Sequence, residues 1–203
     1  MLYAIGKALS VALAVIFGRL KVAGAENIPR EGGVMICANH TSYADPPVLG
    51  AGAPRPVHYM AKIELFQIPV LGYLIKCVGA FPVHQRTADR AALKAASDYL
   101  AKGEVVGMFP EGQRIFGGQL GEALPGVGMI VLRAKCPVIP AALINTDKLL
   151  PPHKIFPHFA HVKVIYGPPV PLDDLYDQSG REAVEEVGRR IMSAIGELIE
   201  ANR

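Results

Sequence analysis

No apolar run in the 203 residues approaches the ~20 that a helix needs to cross a bilayer. Charge is also scarce: 19% of residues are charged, 51% are hydrophobic, and the mean hydropathy is +0.28. So apolar a chain without a spanning segment points to contact with lipid or an apolar ligand, although composition alone does not exclude an Ala- and Val-rich α/β core. There is no dense Lys/Arg stripe and no aromatic stacking platform, which sets nucleic acid aside as a partner. Cysteine is limited to Cys37, Cys77 and Cys136, far apart in apolar surroundings. Their odd number and spacing match no zinc or redox motif, so they read as buried free thiols in a reducing compartment. Four further histidines, His58, His153, His158 and His161, form no ligand-spaced set, and no metal is expected. No GxSxG nucleophile turn occurs. Repeats, low-complexity tracts and linkers are missing as well, and the length fits one domain.

What is present begins at the N-terminus. Lys7, Arg19 and Lys21 all precede the first acid, Glu26, in a chain of net charge +3. Residues 8–17 are apolar apart from Ser10, and Ala23-Gly24-Ala25 imitates a signal-peptide cleavage site. Arg19 and Lys21 lie between the apolar stretch and that site. This favours an uncleaved membrane-docking helix over residues 1–19, followed by one domain over residues 20–203. The expected location is the cytoplasmic face of the cell membrane, as a monotopic or peripheral protein.

Short runs rich in Val and Ile recur at residues 34–38, 57–61, 79–83, 105–109, 138–144 and 162–166, and their length and β-branching predict buried strands. Between them, Thr87 is placed to cap a helix over residues 88–102 that Gly103 stops. Residues 65–77 read as an interrupted helix because of Pro69 and Gly72. Val184, Val187, Ile191, Ile195 and Leu198 form the apolar stripe of a C-terminal surface helix. The alternation predicts an α/β fold with a largely parallel mixed sheet flanked by helices. In such folds, sites form at strand C-termini and the loops that follow.

The segment Asn39-His40-Thr41-Ser42-Tyr43-Ala44-Asp45-Pro46-Pro47 directly follows the strand at 34–38. Residues five apart lie about 140° apart on a helix and on opposite faces of a strand, so only a turn brings His40 and Asp45 together. Asp45 before Pro46 also resembles a helix N-cap with proline at the first helical position. A histidine held by a carboxylate is a general base. The spacing itself is weak, since His84 and Asp89 share it, and a loop histidine beside a capping aspartate explains it equally well. The second segment, Phe109-Pro110-Glu111-Gly112-Gln113-Arg114, ends the strand at 105–109. Its glycine, carboxylate and arginine suit a phosphate or polyol, or an ordinary turn with a salt bridge.

Together the two segments are more specific. Asn39-His40-x4-Asp45 and Phe109-Pro110-Glu111-Gly112-x-Arg114, about seventy residues apart, resemble the signature of the lysophosphatidic acid (1-acylglycerol-3-phosphate) acyltransferase family. Lys62-x2-Leu65-Phe66-x2-Pro69-x2-Gly72, continuing through Gly79-Ala80-Phe81 to Arg86, looks like its second motif. Pro137-Val138-Ile139-Pro140 looks like its fourth, and Gly24-Ala25-Glu26-Asn27-Ile28-Pro29 resembles its lead-in.

The resemblance implies that His40 and Asp45 are the catalytic dyad, and that His84 occupies a variable position. It places Lys62, Arg86, Glu111, Gly112 and Arg114 around the phosphate and glycerol of a lysophospholipid acceptor. It implies acyl-CoA or acyl carrier protein as donor and co-substrate, no cofactor, membrane lipids as partners, and phosphatidic acid as product. Two positions depart from the family pattern: Gln113 stands where threonine or serine is commoner, and Pro125 where a lysine usually precedes Gly126. The expected route is direct, with His40 deprotonating the acceptor hydroxyl as it attacks the thioester. Competing readings are a relative using glycerol-3-phosphate or another lysolipid, a thioesterase, and a non-catalytic lipid-binding protein on the same fold.

Overall fold

The strand β2 (Val34–Ala38) is buried at every position, as its Val-Met-Ile-Cys-Ala sequence demands, and it lies at the middle of a seven-stranded sheet. The computed structural model describes residues 8, 11–77, 79–84, 89–117, 119–152, 154 and 156–203, with the side chains of residues 70, 74 and 77 left aside. The other strands are β1 (Lys21–Ala23), β3 (Val57–Lys62), β4 (Phe81–Val83), β5 (Val105–Met108), β6 (Val138–Ile144) and β7 (Lys163–Tyr166), in the order β1-β7-β6-β2-β5-β3-β4. β6, β2, β5, β3 and β4 run parallel, and β7 joins antiparallel to β6. The sheet is therefore mixed and mainly parallel, as the sequence predicts.

Successive strand residues face opposite sides, so the sheet builds two cores. Val34, Ile36, Ala38, Ile139 and Ala141 pack on one side against α2 (Asp45–Gly52) and against Ala14 of an N-terminal helix, α1, described over residues 11–16. Met35, Cys37, Val106 and Val138 pack on the other side against α4 (Arg90–Ala101), α5 (Pro125–Ala134) and α7 (Arg181–Glu200). Val187, Ile191 and Ile195 of the predicted C-terminal stripe are fully covered, while Val184 and Leu198 flank them half-buried. Two further helices, α3 (Pro69–Cys77) and α6 (Thr146–Leu149), follow β3 and β6. Among the described residues no helix is long and apolar enough to cross a membrane.

Several local expectations shift. β1 goes unpredicted because it has three residues, all exposed, and exists only by pairing with β7. Pro69 opens α3 rather than interrupting it, after a 3-10 turn over Ile63–Gln67. Asp45 occupies the first position of α2, one residue beyond the expected cap, because its carboxylate turns back to the preceding loop. Thr87 lies outside the described residues. The cap of α4 is Asp89, whose carboxylate accepts the N–H groups of Ala91 and Ala92, so the helix starts two residues later than expected. Gly103, at φ +80°, closes it as predicted.

Candidate active site

The parallel strands β2, β5 and β3 all end at one edge of the sheet; the loops leaving β2 and β5 carry His40 and Glu111, and Lys62 is the last residue of β3. The turn after β2 is fixed first. Asn39 is buried and locks onto β6 twice, donating from Nδ2 to the Leu143 carbonyl at 3.0 Å and accepting the Leu143 N–H at Oδ1 at 2.8 Å. Thr41 and Thr146 share a hydroxyl bond of 3.1 Å, and the Ser42 hydroxyl donates to the Leu150 carbonyl at 2.9 Å. These bonds leave the chain tightly turned between residues 40 and 45.

Within that turn, Asp45 Oδ2 accepts three donors at 2.7 Å each: the N–H groups of Thr41 and Ser42, and Nδ1–H of His40. Asp45 is 0% exposed, and its second oxygen, Oδ1, is buried without a hydrogen-bond partner among the described residues. With Oδ2 accepting throughout, the network assigns the His40 proton to Nδ1 and leaves Nε2 as the basic nitrogen. The imidazole also stacks on Phe109, with ring centroids 4.2 Å apart at 20°. A carboxylate partner and a flat apolar wall hold the ring in one tautomer and one orientation, as a general base requires.

Glu111 comes from the loop after β5 and is 5% exposed. Its Oε2 accepts the backbone N–H of His40 and its Oε1 that of Gly121, both at 2.8 Å. Burial pushes this carboxyl above the ordinary carboxylate range, against the opposing pull of the Gly121 and His40 N–H groups. The His40 carbonyl in turn accepts the N–H of Ile115 at 2.7 Å. Gly112 sits at φ +67° between them, where an added Cβ would come within 2.2 Å of Leu124 Cδ1. Only glycine makes this turn without displacing Leu124. Arg114 lays its guanidinium over the Tyr43 ring, 3.6 Å from the centroid, and so rests beside the His40 turn.

Five of the seven sequence-predicted site residues, His40, Asp45, Glu111, Gly112 and Arg114, thus meet in two interlocked loops. Lys62 ends β3, two strands from β2 and about 10 Å away by strand spacing, where it pairs with Glu64 at 3.6 Å. Arg86 lies outside the described residues. Sequence reasoning assigned no role to Phe109 as the stacking wall, Tyr43 as the arginine's platform, or Thr146 and Leu150 as anchors of the turn. Their contacts bridge segments far apart in the chain, so no local pattern marks them. Among the described residues no group of three or more His, Cys, Asp or Glu is placed to hold a metal.

The fold and site define a class of α/β proteins in which a histidine–carboxylate pair is held at the C-terminal edge of a mainly parallel sheet. Within that class, a family model described as Acyltransferase matches residues 19–144, and the chain belongs to this family. That stretch contains all seven predicted site residues. The chain is 37% identical over 129 residues to a 1-acyl-sn-glycerol-3-phosphate acyltransferase of Bacillus subtilis, covering 62% of each chain. It is 29% identical over 140 residues to the protein of the same description from Borreliella burgdorferi, covering 68% of this chain and 56% of that one. The chain thus spans less than two thirds of the length of either relative. The crystal structure of the 1-acyl-sn-glycerophosphate acyltransferase PlsC from Thermotoga maritima superposes with a TM-score of 0.77 at 24% identity, covering 100% of this chain and 78% of that one. At that identity the likeness establishes the fold.

Proposed function

We propose that this protein transfers a fatty acyl group from a thioester to the free hydroxyl of 1-acylglycerol-3-phosphate, producing phosphatidic acid at a membrane surface. The observation that carries the reading is the 2.7 Å bond between His40 Nδ1 and the buried Asp45 carboxylate, set at the sheet edge beside Arg114. His40 Nε2 takes the proton of the acceptor hydroxyl as its oxygen attacks the thioester carbonyl carbon. The C–S bond then breaks, the thiolate leaves, and the imidazolium returns its proton to the sulfur, so the base is regenerated. Asp45 stabilises the imidazolium meanwhile. Arg114, with Lys62 and Arg86, supplies positive charge for the acceptor phosphate, each charge-assisted bond contributing about 1.5–3 kcal/mol. The donor is a thioester of coenzyme A or of an acyl carrier protein. Both substrates are bound together, because the route forms no acyl-enzyme.

The test is a mass-spectrometric assay with mixed acyl thioesters and a mixture of 1-acylglycerol-3-phosphate, glycerol-3-phosphate and other lysolipids. Phosphatidic acid should dominate the products. Release of free fatty acid independent of any acceptor would overturn the reading in favour of a thioesterase.

A further inference from the structure

Strand β2 is ended in the same way on both of its flanks. Its backbone groups alternate between neighbours: the Val34 N–H donates to the Glu104 carbonyl beside β5, and the Met35 N–H to the Pro137 carbonyl beside β6. Carried forward in the registers Val34↔Val105 and Met35↔Val138, this ladder would give the His40 N–H to the Pro110 carbonyl. On the other flank it would join the Leu143 N–H to the Asn39 carbonyl, and the Leu143 carbonyl to the Thr41 N–H. Side chains take those places instead. Toward β5, Glu111 Oε2 accepts the His40 N–H, and the Pro110 carbonyl accepts the Leu124 N–H, both at 2.8 Å. Toward β6, Asn39 Oδ1 accepts the Leu143 N–H at 2.8 Å, and Asn39 Nδ2 donates to the Leu143 carbonyl at 3.0 Å. The Thr41 N–H is thereby free to donate to Asp45 Oδ2 at 2.7 Å.

We propose that Asn39 is a positioning residue for the base: its amide stands in for strand backbone on β6 and so releases the Thr41 N–H to fix Asp45 and, through it, the His40 imidazole. The exchange needs a donor and an acceptor together on a short side chain. Asparagine offers both, whereas an ionised aspartate has no donor and glutamine is one methylene longer. Asn39 is 6% exposed, so water does not compete for the Leu143 groups. A buried carbonyl left unpaired draws the nearest free donor, and the register points the Thr41 N–H at it. Without the amide, β2 would run on toward Thr41, and a strand sets His40 and Asp45 on opposite faces. Asn39 touches no reacting atom and acts only through Thr41 and Asp45. Its effect on turnover rests on the acyl-transfer reading, whereas its hold on the turn does not.

The test compares Asn39→Leu, which removes both polar groups at similar volume, with Asn39→Asp, which keeps the acceptor and loses the donor. The aspartate variant keeps a bond to the Leu143 N–H and serves if the leucine variant does not fold, as checked by circular dichroism. Turnover is read as thiol release from palmitoyl-CoA in the presence of 1-acylglycerol-3-phosphate. The His40 Nδ1–H proton, held by Asp45, is read by heteronuclear NMR of the full chain. In the folded variants kcat should fall about ten- to a hundredfold, with donor and acceptor KM within about twofold of wild type. The Nδ1–H signal should broaden or vanish in parallel. Variants that keep kcat and the signal while their denaturation midpoint falls would make Asn39 a fold-stabilising residue only and overturn the proposal. A rise in acceptor KM at constant kcat would overturn it as well. Loss of the signal in variants of a protein that acylates no lysolipid would uphold the role of Asn39 and sink the acyl-transfer reading alone.

Discussion

The backbone N–H of His40 donates to Glu111 Oε2 at 2.8 Å, so the carboxylate of one motif holds the main chain of the other. Glu111 reaches across 71 residues of sequence to do this, and its other oxygen holds Gly121 on the far side. With both oxygens engaged on backbone donors, Glu111 is placed to position the base.

Glu111→Gln leaves one of the two N–H groups facing an amide NH2, because Gln offers one acceptor oxygen in place of two. The His40 turn should loosen. A misplacement of the order of 1 Å costs up to about a hundredfold in rate, so kcat should drop about ten- to a hundredfold with the acceptor KM within about twofold of wild type. A rise in acceptor KM at constant kcat would show instead that Glu111 touches the acceptor.

Burial lifts the Glu111 carboxyl above the ordinary range. The folded chain therefore keeps this proton to higher pH than the unfolded chain, so the contribution to stability is full below the unfolded value and declines as pH rises through the raised one. The glutamine variant cannot ionise at this position. From about pH 4, near the unfolded carboxylate value, to about pH 7, its Tm should lose less than that of the wild type. Parallel Tm profiles would mean that the carboxyl does not titrate in this window.

The two His-x4-Asp pairs should separate cleanly. Asp45 holds the His40 imidazole, whereas Asp89 accepts the backbone N–H of His84 at 2.8 Å and caps α4. His40→Ala should cost about 10²–10⁴-fold in turnover without unfolding the chain. His84→Ala keeps its backbone donor and should be nearly silent. Asp89→Ala should cost about 1 kcal/mol of stability, read by denaturant titration, and leave kcat unchanged. Equal losses of turnover from the two histidine variants would overturn the site assignment.

Arg114 rests on Tyr43 at 3.6 Å, which keeps its guanidinium beside the histidine turn. Arg114→Ala should raise the KM for a phosphate-bearing acceptor about tenfold or more, with little effect on the donor. Tyr43→Phe preserves the ring face and should behave like wild type, while Tyr43→Ala should raise acceptor KM by a few fold. Donor and acceptor KM values rising together after Arg114→Ala would assign the arginine to the thioester's own phosphates.

Among the described residues no side chain near the base is poised as a nucleophile. Cys37 is fully buried on the sheet face opposite Ile36 and Ala38, and burial pushes its thiol far up; Cys136 is pushed up to about 11 by the same cause. The Ser42 hydroxyl donates to the Leu150 carbonyl and accepts the Ala44 N–H at 3.2 Å. Steady-state kinetics should accordingly be sequential. The triple Cys37→Ala/Cys77→Ala/Cys136→Ala variant should keep its turnover and lose some stability to the cavities left at the buried Cys37 and Cys136 positions. An acyl group found on the protein by intact-mass analysis when acceptor is withheld would contradict the direct mechanism.

The sequence by itself determined the sheet's central strands. The runs at 34–38 and 138–144 become strands over those same residues, because continuous β-branched and apolar stretches have no stable place except between two covered faces. It also determined family membership, since the stretch the family model matches holds both the histidine and the glutamate motifs. Spacing alone does not separate His40 from His84, which stand at the same distance from an aspartate, and only the resemblance of the surrounding motifs favours His40. The physical difference between the two pairs lies in the tertiary structure. Asp45 is driven to 0% exposure beneath a turn pinned by Leu143, Thr146 and Leu150, whereas Asp89 stays at the surface as a helix cap. A buried carboxylate must satisfy its oxygens with whatever donors the fold brings close, so Asp45 gathers the imidazole and Glu111 gathers the His40 amide. Those donors are brought together by the parallel register of β2 against β5 and β6, a relation between distant segments that no local spacing encodes.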